Sequence, residues 1–187
     1  MLVLVIGLVV FGIGDAFMLN ARLGAAPWTT LATGIAKRTP LDVGETTILI
    51  SVLVLLAWIP LRERPGIGTL ANALIIGLTI KLATPVMPEP LSLVGRFSCT
   101  VLGIVVTGIG GALYLSTQLG PGPRDGWMTG LAKRFGLPLA RVRLGIEVAV
   151  LTVGFLLGGQ IGVGTVLFAV LIGHVVSWAL VAVKRFA

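Results

Sequence analysis

A constant shift of 96 residues lays the second half of this 187-residue chain over the first without a gap, taking Gly24 onto Gly120. The clearest match joins the stretch from Leu23-Gly24 through Pro27-Trp28-Thr29 to Lys37-Arg38 with the stretch from Leu119-Gly120 through Pro123-Arg124-Asp125 to Lys133-Arg134. Upstream, Gly12-Ile13-Gly14 falls on Gly108-Ile109-Gly110, and downstream, Gly66-x-Gly68-Thr69 falls on Gly162-x-Gly164-Thr165. Self-similarity at a fixed period means one structural unit written twice. Whatever fold the chain adopts must accommodate both copies.

Composition says what kind of unit this is. At 56% hydrophobic and 11% charged residues, with a mean hydropathy of +1.07, the chain lacks the polar surface a water-soluble domain needs. It reads as an integral membrane protein. The net charge of +7 does not point to nucleic acid, because the 14 Lys and Arg fall mainly between apolar runs, where membrane proteins carry topology signals and meet anionic headgroups. The single cysteine, Cys99, excludes an internal disulfide framework and a cysteine-based zinc site. The apolar first stretch has no basic leader and has a repeat mate in mid-chain, so it reads as a retained span rather than a signal peptide.

The repeat then predicts three spans and one short helix per half. In the first, about residues 1–84, the spans are Leu2 to Leu19, Val43 to Ile59 and Ile67 to Leu82, with a short helix from Trp28 to Arg38. That short helix is only about 16 Å long, half of the ~30 Å hydrocarbon core, so it is either interfacial or re-entrant. A connection over about residues 85–96, holding Pro85, Pro88 and Pro90, breaks helix and separates the halves. In the second half, about residues 97–187, the spans are Phe97 to Leu119, Leu139 to Leu157 and Val163 to Val183, with a short helix from Arg124 to Phe135 and Lys184-Arg185 as a basic terminus. An odd number of crossings per copy inserts the two copies in opposite senses, which gives an all-α fold of six transmembrane helices as two inverted three-helix repeats. With the N-terminus cytoplasmic, inside segments hold nine Lys and Arg against five outside, which favours both termini inside.

Few residues in these spans can carry chemistry. Proline at a helix start fixes its geometry, while Gly120 and Gly122 leave backbone N–H groups open to a ligand. Arg124 and Asp125 follow in the first helical turn. Asp125 reads either as a capping carboxylate paired to a nearby Arg or, with Arg124, as a solute ligand. The first copy has Trp28 and Thr29 there, so the two sites differ chemically. Asp15 aligns with Gly111 and lies near the end of its span, where it is either functional or a partly hydrated, salt-bridged group. Glu147 stands one turn after Arg143, and such a pair can neutralise both charges in the membrane, proton or cation coupling being the alternative.

His174, the only histidine, falls in mid-span and reads as a hydrogen-bonded core residue or a proton relay. Asn72 suggests an interhelical hydrogen bond, and the small-xxx-small pairs Gly12/Ala16, Gly108/Ala112 and Gly154/Gly158 suggest close helix packing. Trp58, Trp127 and Trp178 are interface anchors or core. Nucleophile elbow, HExxH and GxxxxGK[ST] motifs are missing from the sequence, so neither enzyme chemistry nor a cofactor is expected.

The run Gly120-Pro121-Gly122-Pro123-Arg124-Asp125-Gly126, with Thr129-Gly130-Leu131, Arg143, Glu147 and Leu157-Gly158-Gly159-x-x-Gly162-Val163-Gly164-Thr165, resembles the bacterial YczE-type membrane proteins, relatives of the YitT group. The resemblance covers nearly the whole chain and takes in Ile59-Pro60-Leu61-Arg62 and Arg64-Pro65-Gly66-x-Gly68-Thr69. It implies a bacterial inner-membrane protein with a supposed transport role and brings no established site residues. The chain departs from the family pattern at Trp28-Thr29, where an Asp often follows Pro-Trp. Together these observations lead to an expected small-solute transporter or channel for an anionic or zwitterionic metabolite, working by alternating access. The alternative is a non-transporting accessory protein that binds a membrane partner or lipid. Membrane lipids are the expected surroundings, and the short chain, with little room for a large cavity, favours a homodimer.

Overall fold

The structure, a computed structural model, describes residues 1–87 and 89–186. Pro88 of the expected connection and the Lys184 side chain of the expected basic terminus lie outside the described residues. Among the described residues there are eight α-helices and no strand: α1 Leu2–Ala21, α2 Pro27–Ala36, α3 Val43–Leu56, α4 Ile67–Ala83, α5 Leu93–Ser116, α6 Pro123–Phe135, α7 Leu139–Leu156 and α8 Val163–Phe186. Short 3-10 turns extend α3 (Ile59–Leu61) and α4 (Thr84–Val86).

Among the described residues, five helices are long and apolar enough to cross a membrane: α1, α5, α8, and α3 and α4 with their turns. The sixth expected span, α7, has 18 residues but carries Arg141, Arg143 and Glu147. The chain is thus an all-helical membrane protein. Side-chain caps start two of the spans, and one of them moves a boundary. Ser92 accepts from the Gly95 N–H at 3.0 Å and starts α5 at Leu93, four residues before the expected Phe97. Asp42 and Glu45 form a reciprocal capping box at α3 (Glu45 N to Asp42 Oδ1 2.8 Å, Asp42 N to Glu45 Oε2 3.0 Å).

α1 and α5 form the spine, and glycine is what lets them approach. A Cβ on Gly14 would lie 2.7 Å from the Gly103 carbonyl oxygen, and one on Gly110 would lie 2.6 Å from that of Gly7. The 96-residue shift carries Gly7 onto Gly103 and Gly14 onto Gly110, so these two contacts are images of each other. Gly12 packs on Thr79 of α4 in the same way that Gly108 packs on Val175 of α8. In the third expected pair only Gly154 packs, against Thr30 and Leu31 of α2; Gly158 has φ 86° and ends the helix.

The Gly-Pro turns tie the halves together. Gly24 (φ 115°) and Gly120 (φ 120°) take a left-handed backbone that a side chain would strain. Gly164 N donates to Leu23 O at 2.7 Å, and Gly68 N donates to Leu119 O at 2.8 Å. Each half's turn is therefore held by the start of the other half's last helix.

The repeats diverge at one seam. α3 packs along α4, with Gly44 against Gly77 and Lys81 bonded to Glu45 (2.6 Å) and Asp42 (3.4 Å). At the equivalent places the second half has Ala140, Gly173, Ser177, Arg141 and Pro138. α7 and α8 have no comparable seam, and a Cβ on Gly173 would meet nothing within 4 Å.

Candidate functional site

The gap left by that missing seam leads into a cavity of about 390 Å³ built within one chain. Both short helices begin on it. Ala26, Pro27 and Trp28 bring the N-terminus of α2, and Gly122, Arg124 and Asp125 bring that of α6. Each helix has proline at its first position and no side-chain cap, so first-turn N–H groups lack side-chain partners. The site's outer rim is Arg143 and Glu147 of α7 and Gly173 and Ser177 of α8.

Of the eight sequence-derived candidates, Asp15, Trp28, Gly122, Arg124, Asp125 and Glu147 line this cavity. Gly120 does not; its turn packs on Gly66 and Thr69, so its role is in joining the halves rather than facing a solute. His174 does not either, because the rotation of α8 turns it outward, exposed, with Nδ1 3.0 Å from the Val170 carbonyl oxygen of its own helix. The core reading of this histidine therefore does not hold, and its ring lies outside the cavity.

Asp15 is 2% exposed and forms no salt bridge among the described residues. Its Oδ2 accepts from Thr29 Oγ1 at 3.3 Å, and its Oδ1 is buried without a partner. A carboxylate so placed is costly unless something compensates it. Arg124, the nearest candidate, forms no ion pair or hydrogen bond among the described residues. Its guanidinium lies over the Trp28 ring, 5.1 Å from the centroid. The shift of 96 takes Trp28 to Arg124, so equivalent positions of the two repeats stack on each other. Trp127 meets Trp28 edge-on at 6.4 Å.

Asp125 departs from the capping expectation. It accepts from Tyr114 Oη at 3.0 Å and pairs with no Arg among the described residues. Thr29 and Asp125 are equivalent, and each bonds a side chain from the span before it, with donor and acceptor exchanged. Glu147 accepts from Arg143 Nε at 2.9 Å, the expected one-turn pair. Trp58 is core, with Nε1 donating to Pro123 O at 2.9 Å, whereas Trp178 is 79% exposed. Tyr114 and Asn72 also line the cavity and were not among the candidates. The signal for Tyr114 was its being the only tyrosine, six residues before Gly120 of the Gly-Pro turn. Asn72 packs against Gly122, and among the described residues its side chain makes no hydrogen bond, interhelical or otherwise.

Known proteins similar to this chain are membrane-associated by name or uncharacterized. The model of a family of unknown function, DUF6198, matches residues 1–180. An uncharacterized protein of Haemophilus influenzae is 44% identical over 183 residues, covering 98% of this chain and 84% of its own length. The uncharacterized membrane protein YczE of Bacillus subtilis is 31% identical over 176 residues (93% and 82%), and the uncharacterized protein YyaS of the same organism is 29% identical over 187 (96% and 92%). No solved structure matches. The chain belongs to the DUF6198 family and is a YczE-like membrane protein.

Proposed function

We propose that this member of the DUF6198 family is a small-solute transporter of the bacterial inner membrane, built from six crossings in two inverted three-helix repeats and working by alternating access. The observation that carries the proposal is the asymmetry of two like halves. The site where both short helices begin is open past α7 and α8, while the equivalent seam of α3 and α4 is shut. Inverted repeats place equivalent seams on opposite sides of the membrane. Exchanging which half is closed would then open the site to the other side. The excess of Lys and Arg on one set of loops supports cytoplasmic termini.

Cysteine accessibility tests this. Ser51 is 3% exposed and equivalent to Glu147 of the cavity, while Ser177 is exposed at the mouth. In a Cys99→Ser background reconstituted in liposomes, a small water-soluble thiol reagent labels Ser177→Cys quickly and Ser51→Cys more slowly but to completion. A Ser51→Cys protein that stays unlabelled while Ser177→Cys reacts would remove alternating access and favour the non-transporting accessory role.

A further inference from the structure

We infer that the cavity binds a small zwitterion, its cationic group against Asp15 and its anionic group between Arg124 and the N-termini of α2 and α6. The inference rests on the cavity described above and names the class of ligand it takes. Five charged side chains line that cavity, and three of them are satisfied within the protein. Glu147 and Arg143 bond each other at 2.9 Å, and Asp125 accepts from Tyr114 at 3.0 Å.

Two are left over, and they have opposite signs. Asp15 is buried with a partnerless Oδ1, and Arg124 lines the cavity stacked on Trp28, close enough to Asp15 and Asp125 to be attracted by both but forming no hydrogen bond or direct ion pair among the described residues. The uncapped first turns of α2 and α6 add partial positive charge on the Arg124 side. A simple anion would satisfy Arg124 and worsen the burial of Asp15, and a simple cation would do the reverse. A ligand with both charges satisfies both, and a volume of about 390 Å³ holds one of a few heavy atoms with room to spare.

The same chemistry has two sources, a free aminocarboxylate or aminophosphate and the headgroup of an ethanolamine phospholipid. The sparse contact between α7 and α8 would let the second enter from the bilayer, and a free solute from the water at the same opening.

The test uses the purified full chain and two readouts, thermal unfolding and the emission of Trp28, whose ring Arg124 covers. Probes are β-alanine and O-phosphoethanolamine, with propionate, ethyl phosphate and ethanolamine as single-charge controls. Ethanolamine-phospholipid nanodiscs are compared with phosphatidylglycerol ones. The zwitterions raise the unfolding temperature and shift an emission signal that Trp28→Phe abolishes, and the controls do neither at equal concentration. Asp15→Asn and Arg124→Gln each weaken zwitterion binding about tenfold or more. Stabilisation by the ethanolamine lipid alone, lost in both variants, upholds the same chemistry and assigns the lipid as source.

Propionate or ethyl phosphate binding as tightly as the zwitterions, with Asp15→Asn unchanged, overturns the inference. So does the absence of binding by every probe and by the ethanolamine lipid. Labelling of Ser51→Cys is scored separately, so a failed zwitterion site leaves alternating access standing, and an unlabelled Ser51→Cys leaves the site standing.

Discussion

α3 and α4 touch along a glycine seam latched by Lys81, while α7 and α8, their counterparts 96 residues on, stand apart around an open cavity. The two pairs share a plan, their entry turns and the grip each has on the other half's Gly-Pro turn. Among the side chains that differ between them, those of the seam include Gly44, Asp42, Glu45 and Lys81 against Ala140, Pro138, Arg141 and Ser177. In the structure these contacts hold the first-half seam shut and leave its second-half counterpart open. Under the proposed alternating access, a ligand that binds one arrangement better would shift the balance by its difference in affinity.

The largest expected effect breaks the closed side. A Cβ on Gly77 would lie 2.6 Å from the Gly44 carbonyl oxygen and overlap Ile48, whereas one on Gly173 would meet open space. Gly77→Ala should cost about 1–3 kcal/mol by overpacking. Gly173→Ala should instead gain up to about 1 kcal/mol from helix propensity. Unfolding in detergent compares the two; equal losses at both positions would mean that α7 and α8 also close in the protein's resting state.

Next in size is Asp15, which has no carboxylate counterpart, since its equivalent is Gly111. A carboxylate kept buried with one unpartnered oxygen is destabilising, and sites held for function often carry such a cost. Asp15→Asn retains the acceptor for Thr29 and removes the charge. Its unfolding free energy should rise by about 1 kcal/mol or more. A fall instead would make Asp15 a structural group and would mark the two halves as differing in packing rather than in function.

The latch comes third and sharpens the comparison kinetically. Lys81→Met removes the bonds to Asp42 and Glu45 at the solvent-facing edge of the closed seam. Surface pairs of this kind add little to stability, so the global fold should barely change. The balance between the two seams should change more: Ser51→Cys labels faster with Lys81→Met and Ser177→Cys labels more slowly. Unchanged rates at both positions would leave the glycines alone holding the seam.

Much of this was legible before any coordinates. Five of the six expected spans and the short helices follow from hydropathy and Gly-Pro punctuation, and six of eight candidate residues meet at one cavity. The exceptions within the spans share a cause. Spans that are apolar on nearly every side carry no periodic stripe to show which face turns inward. The outward placement of His174 and the inward placement of Tyr114 and Asn72 therefore depend on helix rotation that only packing sets. The latch was likewise present as residues, but Lys81 means little until α4 lies on α3. Ser92 was a missed local signal, a plain cap that extends α5 by a turn.

The smallest expected effect belongs to His174, and its smallness is informative. Histidine in mid-span invites a proton-relay role. Here the ring sits on the exposed side of α8 with Trp178, bonded to the Val170 carbonyl of its own helix, while Gly173 and Ser177 on a neighbouring face line the cavity. Its counterpart in the first half, Leu78, is also exposed, so both repeats turn this position outward. His174→Leu should leave unfolding, zwitterion stabilisation and both cysteine labelling rates unchanged. A loss of zwitterion stabilisation in that variant would place α8 in a different rotation when ligand is bound, and would make the open seam, rather than the latched one, the moving part.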